Sequence, residues 1–155
     1  MNSAELEAYL RSRIPLSGAM QVHVRSIDED ALRIAAPLAP NINHRETVFG
    51  GSAAAVAMLA AWGLLYVRLE REAVPARLVI QRCEMEFLHP IESDFDAVSR
   101  VDDAADWPRF LDALRRKGRA RVAVRVLLDC NGVRVGEFVG EFVAMRAPMS
   151  EAQEA

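Results

Sequence analysis

Asn41-Ile42-Asn43-His44-Arg45-Glu46-Thr47-Val48-Phe49 runs into Gly50-Gly51-Ser52 and then into a stretch with no charged residue until Arg68. Amide, imidazole, carboxylate and hydroxyl side chains therefore stand directly before a glycine pair. Glycines let a ligand approach the backbone closely, because no Cβ stands in the way. If the uncharged stretch is a helix, its first turn offers unpaired N–H groups and the positive end of the dipole. Such a place suits an anion, or an oxyanion developing on a carbonyl.

Each residue there has two readings. Asn43 can donate to a carbonyl oxygen, or bond its own backbone in a turn, as asparagine readily does. His44 and Glu46 can take a proton from water at the helix mouth, or can be solvated loop residues. His89, just before Pro90, offers a third base or a strand-end histidine in solvent. Ser52 can bond a substrate or cap the helix. His23 reads as surface. Other chemistries find little support. Ser52 lacks the Gly-x-Ser-x-Gly elbow, and no His-x-x-x-His or Cys-x-x-Cys spacing exists to suggest a metal. The Gly-Gly pair is neither a Walker nor a Rossmann loop.

The elements that must hold these residues follow from periodicity. Leu6, Tyr9, Leu10 and Ile14 are spaced as a helix over Ala4–Arg13 that Pro15 ends. Met20, Val22 and Val24 alternate with polar residues as a strand, and Asp28-Glu29-Asp30 turns into a second strand, Ala31 to Pro37. The central helix spans about Gly51 to Glu70. Cys83, Met85 and Phe87 alternate in a strand that Pro90 stops, and Phe95 to Val101 makes another. Asp102 to Asp106 leads into a helix with Trp107, Phe110, Leu111 and Leu114 on one face, closed by Lys117-Gly118. Ala120 to Leu128 alternates with an arginine row, Asn131-Gly132 favours a tight hairpin, and the chain returns from Val133 to about Met145 with a bulge expected at Gly136. The tail after Pro148 reads as polar and loose. These elements predict an α+β chain in which six antiparallel strands curl round one long helix.

Composition sets the bounds. At 155 residues a single domain, 1–155 with its core at about 18–146, is the expectation, and 52% hydrophobic with 26% charged residues describes a folded chain. A net charge of −3 and a pI near 5.7 argue against nucleic-acid binding, which wants a basic face. Cys83 and Cys130 stand far apart without metal-ligand spacing, and the N-terminus carries acids without an apolar core. Reduced thiols, no signal peptide and a cytoplasmic location are expected. Thr47–Val67 is long enough to span a membrane, but six alanines and three glycines dilute it, so a helix wrapped by protein is the reading.

Two local patterns then resemble the hotdog-fold acyl-CoA thioesterases, in particular the subgroup that includes phenylacetate-pathway thioesterases. One is Asn43 followed by Phe49-Gly50-Gly51 opening the helix, where members commonly show Asn, five residues and His-Gly-Gly. The other is Cys83-Glu84-Met85-Glu86-Phe87-Leu88-His89-Pro90 followed by Asp94-Phe95-Asp96-Ala97, similar to a strand ending in Phe-Leu-x-Pro and a further strand. With Phe49 in place of His, the wording looks most like a branch of thioesterase domains sometimes attached to acetyltransferase domains.

The resemblance implies a hotdog fold and hydrolysis of an acyl-CoA or acyl-carrier thioester by water, with no cofactor beyond the coenzyme A of the substrate and no metal. It places Asn43 and the Gly50 N–H on the thioester carbonyl, with Phe49, Gly51, Ser52 and Met58 lining the substrate. It also implies a homodimer or tetramer, with sites lined by two chains. The chain departs at one position. Resembled enzymes carry an acid about eight residues after the first glycine, and here that residue is Met58. His44, Glu46 or His89 must then assist water, or the domain binds acyl groups without turnover, or it serves only as a dimerisation scaffold.

Overall fold

The computed structural model describes residues 1–147; the tail after Pro148 lies outside them. The uncharged stretch forms the longest helix, α3 (Gly50–Arg71), 22 residues and so about 33 Å long. Its small residues Ala53, Ala57, Ala60, Ala61 and Gly63 are buried and let a sheet approach closely. Arg68 and Arg71 fall in the last turn, where positive charge meets the negative end of the dipole. Arg68 also lies 4.2 Å over the Trp107 ring and pairs with Asp30 at 3.2 Å.

Six strands form one sheet: β1 (His23–Ile27), β2 (Ala31–Ala36), β3 (Ala76–Phe87), β4 (Phe95–Arg100), β5 (Arg119–Cys130) and β6 (Val133–Arg146). Their order is β1-β2-β4-β5-β6-β3, every pairing antiparallel. Irregularities in β1, β3 and the β5–β6 pair bend the sheet round α3. The β5–β6 break leaves Val135 without a partner, one residue from the bulge expected at Gly136. Gly136 answers a different need, since a Cβ there would lie 3.2 Å from the Glu86 carbonyl. Asn131 and Gly132 both have positive φ, as the two-residue hairpin demands.

One hydrogen bond fixes the helix in the curl. Ser99 on β4 is fully buried and donates its hydroxyl to the Ala60 carbonyl at 2.8 Å. On β6 the buried rings of Phe138 and Phe142 flank Gly140, where a Cβ would come within 2.9 Å of both. Outside the curl, Arg119 and Arg121 are exposed, and Arg125 pairs with both carboxylate oxygens of Asp102, at 2.9 and 3.0 Å. The arginine row therefore faces solvent. α3 is long and apolar enough to cross a membrane by length and composition, but it is the core helix of this sheet.

Two short-range features refine the sequence reading. Pro15 does not simply end α1 (Ser3–Arg13). It starts a further helical turn, α2 (Pro15–Ala19), at the first-turn position where its missing N–H costs nothing. α4 (Asp106–Lys117) buries Trp107, Phe110, Leu111 and Leu114 as expected, and Gly118 closes it at φ +71°. Cys83 is exposed on β3 and Cys130 buried, both free thiols.

Candidate active site

The loop before α3 is a miniature hairpin. Residues 42 and 48 form an antiparallel bridge, the Asn43 N–H reaches the Thr47 carbonyl at 2.8 Å, and the Phe49 N–H reaches the Asn41 carbonyl at 2.7 Å. At its tip Glu46 sits at φ +63°, and His44, Arg45 and Glu46 are all exposed. The Val48 N–H bonds the Ile91 carbonyl at 2.8 Å, which ties the hairpin to the segment after β3. That segment contains His89, exposed, and two residues before it Phe87, whose ring stands 3.3 Å from where a Gly50 Cβ would be. The structure thus gathers the motif loop, the start of α3 and the end of β3.

At the centre is an uncapped helix end. Phe49 occupies the cap position and has no side chain able to bond the backbone. The first helical bond is Ala53 N–H to the Phe49 carbonyl at 3.1 Å, so the amides of Gly50, Gly51 and Ser52 precede it. Ser52 lies within the first turn and is not the cap. Phe49 is 58% exposed and its ring lies over Gly51, where a Cβ would collide with it. Two phenyl rings, Phe49 and Phe87, therefore flank a cluster of backbone donors. Such a mouth can stabilise negative charge on an oxygen.

The Asn43 side chain expresses its turn role. Its carbonyl oxygen accepts from the N–H groups of Arg45 (2.8 Å) and Thr47 (3.2 Å), while its amide donates to the Thr47 hydroxyl (3.0 Å) and the Val48 carbonyl (3.4 Å). The last bond is the long one, at the limit of useful geometry.

Asn41, not singled out from the sequence, is the buried polar residue of this region. Its amide donates to the Met20 and Pro37 carbonyls, at 3.0 and 2.8 Å, and so clamps the end of α2 to the hairpin. An apolar cleft of about 240 Å³ runs between α2, α3 and the β3–β6 edge. Met58 lines this cleft, with Met20, Ala55, Trp62, Ile80 and Phe142. Met58 is half-buried, so the position that carries an acid in resembled enzymes belongs to an apolar wall.

Comparison with known proteins agrees with this architecture. The family model described as "Putative thioesterase (yiiD_Cterm)" matches residues 3–146, and the chain belongs to that family. A protein of unknown function from Chlorobaculum tepidum is 27% identical with a TM-score of 0.89, over 94% of each chain. A "putative thioesterase" from Shewanella oneidensis is 30% identical with a TM-score of 0.83, over 92% of this chain and 96% of its own. A thioesterase from Haemophilus influenzae, 11% identical, matches 94% of this chain and 92% of its own with a TM-score of 0.77, a likeness of fold. The six-stranded curl round one helix is the hotdog fold.

Proposed function

We propose that this protein hydrolyses an acyl-CoA or acyl-carrier thioester with water, at the mouth of α3. The observation that carries the reading is the uncapped start of α3, with backbone amides flanked by Phe49 and Phe87 and an apolar cleft beginning one turn further on. As water attacks, the thioester carbonyl gains negative charge. The Gly50 N–H meets that charge, joined by the Asn43 amide when it exchanges its 3.4 Å bond to Val48 for the substrate oxygen. His44, Glu46 or His89 assists the water, since Met58 cannot. No covalent intermediate, metal or cofactor beyond the coenzyme A of the substrate is invoked.

The working unit is a homodimer or larger. β3 is a sheet-edge strand of 12 residues, and Val79, Phe87 and Leu88 are exposed on it or just beyond it. A long edge of that kind is a template for pairing with a second copy. A cytoplasmic location completes the proposal. The test is thiol release from short, long and aromatic acyl-CoAs, read alongside thermal shift. Turnover supports the hydrolase, and shift without turnover supports an acyl-binding module. With neither, the domain is a dimerisation scaffold.

A further inference from the structure

We infer that the groove between α4 and the first half of β5 is a docking site for an extended acidic peptide of a partner protein, with a carboxylate at every second residue. The groove lies far from the mouth of α3. Arg68, whose guanidinium covers Trp107 of α4, stands about 27 Å along the helix from Gly50.

Two observations build the site. The first is an open strand edge. β4 pairs with β5 only from Asp96 opposite Asp129 to Arg100 opposite Arg125, whereas β6 pairs with β5 as far as Arg119. From Arg119 to Val124, β5 therefore has a strand on one side only, and every second residue there turns its N–H and C=O away from β6. α4 stands beside this edge and leaves a groove of about 270 Å³, lined by Arg109, Phe110 and Ala113 of the helix and by Arg121, Val122 and Ala123 of the strand. An open edge of this kind takes up an extended peptide as a further strand.

The second observation is charge. Between positions 109 and 125 the chain carries seven of its 19 Lys and Arg residues and one of its 22 Asp and Glu residues, although its net charge is −3. Lys117, Arg119 and Arg121 are exposed and join no ion pair among the described residues. Asp106 also lines the groove, but its pair with Arg109 is 3.5 Å long and exposed, so an incoming carboxylate can compete for the guanidinium.

Alternation along β5 sets the pattern of the peptide. Arg119 and Arg121 lie on the outward face, and Ala120 and Val122 are buried on the inward one. A strand added beside them places its own alternate residues on the same two faces. Its carboxylates meet the arginines, and small apolar residues between them meet Val122 and Phe110. Both aromatic residues of α4 are buried, and the large exposed apolar side chains lie on other elements. A lipid surface finds no anchor here, and a nucleic-acid base finds no ring to stack on.

The test is fluorescence anisotropy with the labelled peptide Glu-Val-Glu-Val-Glu and a control of the same composition, Val-Glu-Glu-Glu-Val. The alternating peptide should bind the unmodified protein about tenfold more tightly than the control, and a copy methylated on every backbone nitrogen should bind no better than the control. Arg121→Gln and Arg109→Gln should each weaken the alternating peptide by about tenfold, as for loss of a charge-assisted bond. Equal binding of the two sequences would reduce the surface to unspecific charge and overturn the inference, as would binding that survives both substitutions. Anionic vesicles or duplex DNA bound through Arg121 in place of the peptide would also overturn it. So would a dimer that dissociates in Arg121→Gln, which would give the groove to a second copy.

Discussion

Asn43 holds the loop and is proposed to hold the substrate, and the two roles separate by substitution. Asn43→Asp keeps the oxygen that accepts from the Arg45 and Thr47 N–H groups but loses the amide donor. The expected result is a melting temperature within a few degrees of the parent and a tenfold or greater fall in kcat, as for removal of one oxyanion donor. An undiminished kcat would assign Asn43 to the turn alone. Tyr66 makes a second residue-level prediction. Burial, with Tyr9 and Glu70 beside it, pushes its phenol well above the usual tyrosine range. The folded state therefore keeps a proton that the unfolded chain releases above about pH 10. Its stabilising contribution is present below that pH and declines as pH rises toward the folded pKa. Tyr66→Phe should flatten the alkaline fall in stability, measured by urea unfolding at pH 9 and pH 11. At this scale the sequence was legible in part. The motif marked the helix mouth, but Asn41 carried no periodicity to flag it, and the hydrogen bonds of Asn43 depend on a loop conformation that spacing alone does not specify.

Helix α3 shows how far local pattern reaches. Its bounds, Gly50–Arg71, fall within a residue of the expected Gly51–Glu70, because an uncharged stretch between a glycine pair and arginines has clear ends. Ala60 is completely buried, and its carbonyl accepts from Ser99. Ala60→Asp would place an unpaired charge in the curl of the sheet and should abolish cooperative thermal unfolding, a loss of more than about 4 kcal/mol. A variant that melts like the parent would show that α3 is not the core. α2 was not legible, since Pro15 serves equally as a helix stop and as a first-turn residue, and which one holds depends on the burial of Ser17 and Met20 against the rest of the fold. The shift of the β6 bulge from Gly136 to Val135 has a similar cause. Gly136 instead lies under β3, where a Cβ would crowd the Glu86 carbonyl, a contact distant in sequence.

The whole molecule joins a firmly placed fold to a family-level function. Alternation in the strands and the uncharged helix made the six-stranded curl readable, yet the strand order that puts β3 at an edge comes from pairings between distant segments. That exposed edge motivates the dimer. Sedimentation at micromolar concentration should give twice the 17.2 kDa chain mass or more, and a solely monomeric species would count against it. Hydrolysis of thioesters is proposed for the mouth of α3. Its most direct measurement is steady-state thiol release from octanoyl-CoA by the unmodified protein and by Asn43→Asp. Measurable hydrolysis is expected, slow because Met58 cannot act as a base, and it should fall tenfold or more in the variant. No thiol release from any acyl-CoA, or release that Asn43→Asp leaves unchanged, would contradict it.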